Sequence, residues 1–523
     1  MTRITRWIWS AVSGVVAAAT FLAVAEVLVP FTTPGRGPIV DVGGFVIDVV
    51  PRPLKELAIA AFGEYDKLAL LIGLGIAVLG AAAISGILQY VRRPFGVALL
   101  ALAGALALLA SVTRAGASAL SWAPSVAGTL AGSVVLMLLI ARLRSWKDAA
   151  AQPVARIPEN PAASKTAKVS RRAFFRTTAV VGATAVLAGV GARLLGAATS
   201  SVSAIREELR LPAPRTTISV PNGAELDVDG LTPLITPNAD FYRVDTALVV
   251  PTVDPASWRL VIDGMVDRPV EFSLDDLLAR GVDEYAITLT CVSNEVGGDL
   301  VGNAIWLGIP VRDLLAEAGP RAGADMVLSR SVDGYSASTP LASLTDDGLD
   351  AILAVGMNGE PLPAEHGFPV RMVVPGLYGY VSATKWLTRL TVTTFADDEA
   401  YWTPRGYSAK APIKMSSRID TPRIGSPVAA GTVAIAGMAW AQTVGVAQVE
   451  VSIDDGAWQQ ATLSAPLSDD TWVQWKLEWD ATPGTHYITV RAVDADGNRQ
   501  VEERAPIYPD GSTGWQRILI TVT

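Results

Sequence analysis

The sequence predicts a multi-domain chain with an N-terminal α-helical membrane bundle, a central α+β domain and a C-terminal immunoglobulin-like β-sandwich. Half of the 523 residues are hydrophobic and only 18% are charged, which is too apolar for a wholly soluble chain of this length. Long apolar stretches concentrate before residue 150, charge, Pro and Gly rise to globular density after residue 200, and short alternating runs follow from about residue 400.

The N-terminal region, residues 1–148, predicts four membrane helices, because crossing the hydrocarbon core takes about 20 apolar helical residues. The four apolar stretches are residues 7–29, 68–90, 95–112 and 120–140. Clusters of Arg and Lys alternate between the ends of these stretches as the positive-inside rule requires for a cytoplasmic N-terminus. With a fifth helix further on, we expect about five crossings of the cell membrane and an extracytoplasmic position for everything after residue 200.

A linker and a motif follow the four stretches. Residues 149–169 are rich in Pro, Ala and Ser and predict a flexible cytoplasmic linker. Residues 170–200 open with "SRRAFFRTT", in which Arg171 and Arg172 precede two phenylalanines and a weakly hydrophobic segment, residues 179–198. The pattern resembles a twin-arginine export signal, which would require the following part to fold in the cytoplasm around its cofactor. The alternative is that both arginines are only the positive flank of a fifth membrane helix.

Charge and composition exclude several classes of protein. The net charge of -8 and the absence of a basic stripe with interleaved aromatics argue against nucleic-acid binding. With one cysteine, Cys291, and two histidines, His366 and His486, we expect no disulfide, no cysteine-based zinc site, no iron–sulfur cluster and no haem. Electrons would therefore pass to or from an external electron-transfer protein or a quinone.

The only cysteine lies in a segment that predicts a strand, a loop and a short helix. "AITLTCV" alternates and is β-branched, so Cys291 is expected at the end of a strand, with "VSNEVGG" as a loop and "VRDLLAEAG" as a helix after Pro310. A lone cysteine is most often a small buried hydrophobic residue. Its neighbours in the sequence therefore decide whether it has a chemical role.

A second segment, residues 357–390, reads "MNGEPLPAEHGFPVRMVVPGLYGYVSATKWLTRL". Its glycines allow close approach of the backbone, and His366, Arg371 and Lys385 supply cationic or hydrogen-bonding groups for a phosphate. The segment predicts an anion-binding wall. The alternative is a charged loop edge, because neither GxxxxGK nor GxGxxG is present.

Three stretches resemble the molybdopterin-binding domain of the sulfite oxidase family: "TCVSNEVGGDLVGNAIWLGIPVRDLL", "MNGEPLPAEHGFPVRMVVPG" with "KWL", and the entry loop "TPNADFYRVD". The resemblance covers much of the predicted central domain, residues 201–398. It implies a molybdenum–molybdopterin cofactor with Cys291 as the thiolate ligand of the metal. It implies cofactor-binding roles for eight residues: Asn238, Phe241, Tyr242, Cys291, His366, Arg371, Ser382 and Lys385.

The same resemblance implies an oxidoreductase that transfers an oxygen atom to or from a small, sulfur-containing substrate, with Cys291, Asn238 and Glu295 as catalytic residues. The apolar stretches and their positive flanks predict that this enzyme is membrane-anchored and outward-facing. Sulfite oxidases carry an arginine, another basic residue and a tyrosine where this chain has Asn238, Glu295 and Val355. Since a sulfite dianion needs cations beside the metal, we expect a substrate other than sulfite. Two alternatives stay open: the direction of a sulfoxide or N-oxide reductase, and a cofactor-free scaffold or adhesion module.

The C-terminal part, residues 399–523, predicts an all-β domain. "VEVSIDDGAWQQATL" alternates on both sides of an Asp455-Gly456 turn, and "HYITVRAVDADGNRQ" ends in turn signals. These features favour a β-sandwich. The predicted sandwich resembles the dimerisation domain that accompanies sulfite oxidase-type domains, which implies a homodimer.

Overall fold

The computed structural model describes residues 2–32, 37–51, 54, 57, 61–62, 66–114, 117, 119–151, 162–199 and 202–523. For residues 66, 149–151, 162–170, 190–199 and 202–204 it gives the course of the backbone alone. The chain divides into two compact units, one of residues 1–201 with 247–250, the other of residues 202–246 with 251–523.

The first unit is helical over its described residues. Its helices are α1 (Arg3–Thr32), α2 (Pro38–Val49), α3 (Asp66–Val91), α4 (Phe95–Thr113), α5 (Ala123–Ala151) and α6 (Ala162–Thr199). In the described part of the chain, α1, α3, α4 and α5 are long and apolar enough to cross a membrane, with mean hydropathies of 2.0 to 2.4. Each contains most or all of one of the four predicted stretches.

Close packing of α1 against α3 depends on two glycines. A Cβ atom on Gly14 would lie 1.9 Å from the carbonyl oxygen of Ala82, and one on Gly86 would lie 1.9 Å from that of Ser10. Small residues let helix backbones approach where no hydrophobic effect drives them together. The two glycines therefore fix where these helices cross.

Helix α6 differs from the expected flexible linker, because residues 162–169 are helical, whereas residues 152–161 of the linker lie outside the described residues. Phe174 of the arginine motif is fully buried, with its ring centroid 5.9 Å from that of Trp9 and 5.8 Å from that of Trp146. The motif thus contributes to the core of the bundle. The predicted fifth crossing, residues 179–198, is helical, but its last side chains lie outside the described ones, so this crossing stays a prediction.

The second unit begins with helix α7 (Val202–Glu208) and a long irregular segment, and then forms the predicted α+β domain. Its strands are β1 (Arg259–Gly264), β2 (Val270–Ser273), β3 (Asp283–Thr290), β4 (Val301–Pro310), β5 (Met326–Ser331), β6 (Ser336–Pro340), β7 (Ile352–Met357), β8 (Glu360–Pro361), β9 (Arg371–Val373) and β10 (Leu387–Thr393). Its helices are α8 (Leu274–Leu278), α9 (Val311–Ala318), α10 (Leu341–Thr345) and α11 (Gly379–Ser382), with a 3-10 turn at Ala364–His366.

Two five-stranded sheets build this domain. One has the order β2-β1-β10-β5-β6, with β1 parallel to β10, and the other has the order β3-β4-β7-β8, with β9 paired to β7. The predicted strand over "AITLTCV" is confirmed, because β3 ends at Thr290, one residue before Cys291. The predicted short helix is confirmed as α9, which Gly319 ends in a left-handed conformation at φ 70°.

The remaining strands form the predicted β-sandwich. They are β11 (Ser416–Thr421), β12 (Gly431–Trp440), β13 (Val446–Ile453), β14 (Gln459–Gln460), β15 (Thr462–Leu463), β16 (Val473–Ala481), β17 (Gly484–Asp494) and β18 (Gln516–Val522). They pair into two four-stranded sheets, β11-β12-β16-β15 and β14-β13-β17-β18. Strands β13 and β14 pair antiparallel on either side of the predicted turn at Asp455.

Hydrogen bonds tie the sandwich to the loop that follows Cys291. The guanidinium Nη1 of Arg418 donates to the carbonyl oxygen of Gly298 at 2.9 Å. The hydroxyl of Ser512 donates to the backbone carbonyl oxygen of Asn294 at 2.7 Å. Arg418 is itself buried and paired with Asp420, with 2.6 Å between Nε and Oδ1. The sandwich therefore supports the loop beside the only cysteine.

Candidate active site

One cavity in the α+β domain brings together residues from five separate segments of the sequence. Counted with its open mouth, it holds about 790 Å³ of free space. Six of the nine predicted site residues line it: Phe241, Tyr242, Cys291, His366, Arg371 and Lys385.

Cys291 lies at the inner end of β3, where the strand leaves the sheet. Its thiol is buried, and the backbone N–H of Ser293 donates to Sγ at 3.4 Å. Burial raises the pKa of the thiol, and the contact from Ser293 offsets this only in part. A cysteine in this position becomes a thiolate only when a strong cation such as a metal ion binds it.

Arg371 is a buried cation without a carboxylate partner among the described residues. Its Nη1 donates to the carbonyl oxygen of His366 at 3.1 Å and its Nη2 to that of Ala383 at 3.4 Å, whereas Nε has no partner. The guanidinium lies 5.1 Å from the ring centroid of Trp306. Burial lowers the pKa of Arg371 to about 10. Since a buried charge needs compensation, this arrangement fits an anionic ligand.

Lys385 stands beside Arg371 and has one carboxylate partner. Its Nζ lies 2.8 Å from Oδ2 of Asp245 and donates to the carbonyl oxygen of Glu365 at 3.0 Å. The same carboxylate oxygen of Asp245 is 3.0 Å from Nε of Arg243. Burial lowers the pKa of Lys385 to about 8 even though Asp245 opposes the shift. No motif in the sequence marks Asp245 as the partner of Lys385.

His366 completes this group, which we call the cationic wall (His366, Arg371, Lys385). Its Nε2–H donates to the carbonyl oxygen of Asn238 at 3.1 Å, which leaves Nδ1 as an acceptor in that tautomer. Burial, followed by the charge of Arg371, lowers the pKa of His366 to about 4, so the ring is neutral at pH 7. Hydrogen bonding to Asn238, not charge, is therefore what His366 contributes.

A glycine lets the cationic wall converge. Gly367 has φ 115°, a conformation that favours glycine, and a Cβ atom there would lie 3.0 Å from Cβ of Arg371 and 3.1 Å from Cα of Lys385. The chain can therefore turn directly after His366 and bring all three side chains to one cavity.

Another part of the cavity lining is an aromatic wall (Tyr335, Tyr380, Trp402), which no sequence motif marked. The hydroxyl of Tyr335 donates to the carbonyl oxygen of Tyr380 at 2.9 Å. The hydroxyl of Tyr380 in turn donates to the carbonyl oxygen of Ser408 at 2.6 Å. Burial raises the pKa of Tyr335, whose side chain lines the same cavity as Cys291. The Asp333-Gly334 turn was a readable hairpin signal, but only the fold brings it to this cavity.

Asn238 does not line the cavity. Its side-chain Nδ2 donates to Oε1 of Glu360 at 2.6 Å and to the carbonyl oxygen of Met357 at 3.3 Å, and its Oδ1 accepts from Nδ2 of Asn358 at 2.8 Å. The amide is therefore committed to the turn between β7 and β8. It reaches the site only through its backbone, which holds His366.

Three further residues that the sequence analysis named also lie outside the cavity lining. Ser382 is buried, but its hydroxyl donates to the carbonyl oxygens of Leu377 and Tyr378 at 3.0 Å. Glu295 is exposed on the loop after Cys291, and Val355 is buried within β7. A direct role for these side chains in catalysis or cofactor binding thus has no contact to support it.

Comparison with known proteins agrees with this geometry. The family description "Oxidoreductase molybdopterin binding domain" matches residues 247–402, and "Bacterial Ig domain" matches residues 416–490. Mitochondrial sulfite oxidase of Mus musculus is 32% identical over 368 residues, which cover 60% of this chain and 67% of that protein. NADH nitrate reductase of Solanum lycopersicum is 28% identical over 318 residues, which cover 49% of this chain and 35% of that protein.

Among solved structures, the sulfane dehydrogenase SoxCD of Paracoccus pantotrophus is 25% identical and covers 55% of this chain and 81% of that chain, with a TM-score of 0.49. The match to mitochondrial sulfite oxidase extends over 368 residues at 32% identity and covers about two thirds of that protein. The chain therefore belongs to the sulfite oxidase family and is a molybdopterin-dependent oxidoreductase.

Proposed function

We propose that the protein is a membrane-anchored, outward-facing molybdenum enzyme that transfers an oxygen atom between water and a small, sulfur-containing substrate. The observation that carries this proposal is the single cavity in which the thiol of Cys291 and the cationic wall meet. Soft thiolate suits a molybdenum centre, and a buried guanidinium suits a phosphate.

The residues present fit a molybdopterin cofactor. Arg371 has an unpartnered Nε and no carboxylate among the described residues, so a phosphate would satisfy both its charge and its hydrogen-bonding capacity. Among the described residues, no group of three or more His, Cys, Asp or Glu side chains could hold a metal ion. The remaining ligands of a metal at Cys291 would thus come from the cofactor, which when bound supplies the exchange of an oxygen atom and two electrons.

The proposal assigns a role to each predicted site residue that lines the cavity. Cys291 ligates the metal, and Arg371 and Lys385 hold the phosphate, with the neutral His366 fixed beside them by its bond to Asn238. Phe241 and Tyr242 stack with their ring centroids 5.3 Å apart and cover the cofactor from water. Asn238 acts as a positioning residue in this proposal, and Glu295, which is exposed, takes no part in the chemistry.

Sulfite is not the substrate in this proposal, because every cation of the cavity lining belongs to the cationic wall that holds the cofactor. A screen of the purified, cofactor-containing protein with an artificial mediator tests this in both redox directions. Turnover of a thioether, sulfoxide or N-oxide with little turnover of sulfite is expected. Efficient sulfite oxidation would overturn the substrate assignment.

The alternative from another class is a scaffold or adhesion module without a cofactor. Metal analysis of the full chain after expression with a molybdenum supply separates the two functions. We expect about one molybdenum per chain in the wild type and almost none in Cys291→Ser, since one thiolate per chain is available. No molybdenum in the wild type would favour the scaffold.

For the membrane, we propose that α1, α3, α4 and α5 insert as a bundle and that the arginine motif directs export of the folded second unit. Four sufficiently apolar helices and the alternating positive flanks support this topology. Changing Arg171 and Arg172 to Lys keeps both charges but removes the twin-arginine pattern. Loss of outward delivery in a protease-protection assay is expected, and unchanged delivery would leave the arginines as an ordinary positive flank.

Electrons would leave or enter through an external electron-transfer protein or a quinone, because the sequence has no haem or iron–sulfur motif. Spectra of the purified protein test for haem.

The sandwich would form a homodimer, because it resembles the dimerisation domain that accompanies sulfite oxidase-type domains. Sedimentation of the detergent-solubilised chain tests the dimer.

A further inference from the structure

The ring contacts of the lining residues form two separate groups, which we call the two faces of the cavity. On one face, His366 packs edge-on against Phe241, with ring centroids 5.5 Å apart, beside Arg371 and Lys385. On the other face, Tyr335 is joined through the ring of Tyr401 to Trp402, with successive centroid distances of 5.8 and 5.1 Å. If the cofactor phosphate occupies the cationic wall, the aromatic wall is the face left for the substrate.

The aromatic wall offers ring faces more than hydrogen-bond donors. The hydroxyl protons of Tyr335 and Tyr380 are already donated to backbone carbonyl oxygens. Ring faces carry negative electrostatic potential, so they attract cations and apolar groups and repel anions. This face is therefore poorly suited to an oxyanion.

The charges of the lining residues also disfavour an anionic substrate at this face. The lining, all of which lies in the described range 202–523, carries four charged side chains: Asp245, Asp333, Arg371 and Lys385. Asp245 pairs with Lys385 at 2.8 Å, and Arg371 faces the expected phosphate, which leaves the carboxylate of Asp333. Asp333 stands in the β5–β6 turn beside the exposed Val332, at the mouth, and its Oδ1 accepts from the backbone N–H of Tyr335 at 3.2 Å.

A further cation, Arg405, contacts the ring of Tyr401, which itself packs against Tyr335 and Trp402. The guanidinium of Arg405 lies 3.7 Å from the ring centroid of Tyr401, its Nη1 donates to the carbonyl oxygen of Tyr401, and it does not line the cavity. Its charge is thus directed into the second layer of rings. Among the charges of the lining, that of Asp333 adjoins the aromatic wall, because its Oδ1 accepts from the backbone N–H of Tyr335.

We propose that the aromatic wall, with Asp333 at its rim, is the substrate face and that it selects a small neutral or cationic organosulfur compound over an anionic one. The proposal rests on the proposed function, because it assumes that the cofactor occupies the cationic wall. A methyl sulfide or its sulfoxide, flanked by a neutral or cationic group, fits the rings and the carboxylate. A sulfonate or sulfite does not.

Three probes test the proposal. They share a methylthioethyl group and differ in the charge of the group attached to it: methylthioethyl-trimethylammonium, methylthioethanol and methylthioethanesulfonate. Their binding to the full, molybdenum-containing chain in detergent is measured by calorimetry, and their oxidation with an artificial acceptor. In that reaction, thioether and water give sulfoxide and two protons, and two electrons pass to the acceptor. The ammonium probe should bind at least about tenfold tighter than the sulfonate, which is the size of one desolvated cation–π contact.

Variants locate the selectivity. Asp333→Asn keeps the acceptor for the N–H of Tyr335 and should bring the affinities of the ammonium and sulfonate probes closer while leaving the alcohol unchanged. Asp333→Glu should restore the difference. Asp347→Asn is the matched control, since its carboxylate is 99% exposed and lies outside the cavity.

Each outcome decides the proposal. Equal or tighter binding of the sulfonate, an Asp333→Asn variant with unchanged selectivity, or no binding of any probe to a preparation with full molybdenum content overturns it. The molybdenum content of the same preparation separates this failure from failure of the proposed function, which would show as a protein without the metal.

Discussion

Replacing Arg371 with Met should weaken cofactor retention strongly while leaving the stability of the cofactor-free protein nearly unchanged. Lowering the pKa of a buried guanidinium from 12.5 to about 10 corresponds to a penalty on its charged form of about 3 kcal/mol. Its two hydrogen bonds to carbonyl oxygens, each worth about 1.5 kcal/mol, offset this penalty. Without cofactor, the substitution should therefore change the free energy of unfolding by no more than about 1 kcal/mol.

With cofactor the balance differs, because the phosphate compensates the charge. Loss of two charge-assisted hydrogen bonds should weaken cofactor binding by about 3 kcal/mol, or roughly a hundredfold. The matched control is Arg418→Met, since that arginine is equally buried but paired with Asp420. Removing one partner of a buried pair should destabilise the protein by about 3–5 kcal/mol, with or without cofactor.

The assay is urea unfolding of the detergent-solubilised full chain, followed by tryptophan fluorescence, together with the molybdenum content per chain. Both variants are prepared with and without a molybdenum supply. If Arg371→Met lost as much stability as Arg418→Met in the cofactor-free protein and kept its molybdenum, Arg371 would be a structural arginine and the reasoning would fail.

Three further predictions concern single side chains. Cys291→Ser should abolish activity while changing the unfolding free energy by less than about 1 kcal/mol, since the two side chains are close in volume; normal turnover would exclude the thiolate ligand. Lys385 has a folded-state pKa of about 8 against 10.5 in the unfolded chain, so the unfolded chain holds more protons between these pH values. The stability of the cofactor-free protein should thus rise with pH across this window by up to about 3 kcal/mol, and urea titrations of Lys385→Met should lack this rise. Asn238→Ala should cost about 1–2 kcal/mol of stability through the turn it supports, and a complete loss of turnover in protein with full molybdenum content would instead indicate contact with the substrate.

Much of the architecture could be predicted because it depends on local patterns. Four apolar stretches of sufficient length, the alternating run before Cys291 and the hairpin around Asp455 each follow from periodicity, and the structure has helices or strands in these places. Helix α2 escaped prediction, because a 12-residue helix in a loop with charged neighbours gives too weak a signal. The helical course of residues 162–169 escaped it too, since their Ala and Lys content suits either a linker or a helix.

In the candidate site, too, some features followed from local sequence motifs and others did not. The motifs that carry the family resemblance predicted Cys291 as the molybdenum ligand and His366, Arg371 and Lys385 as the phosphate-binding residues. The sequence did not show which of the predicted side chains point into the cavity. Asn238 turns toward Glu360 instead of the cavity, because the acceptors and donors of the β7–β8 turn lie closer to it.

The sequence by itself thus determined the order of the domains, the family and the one thiol that can bind a metal. Tertiary structure alone decided that Tyr335, from a hairpin more than 40 residues after Cys291, lines the same cavity as that thiol. It alone also decided that Asp245 compensates Lys385 while Arg371 is left for an anion. The physical reason is that composition and periodicity record which faces are buried, whereas contacts between distant segments depend on how the sheets and loops pack in space.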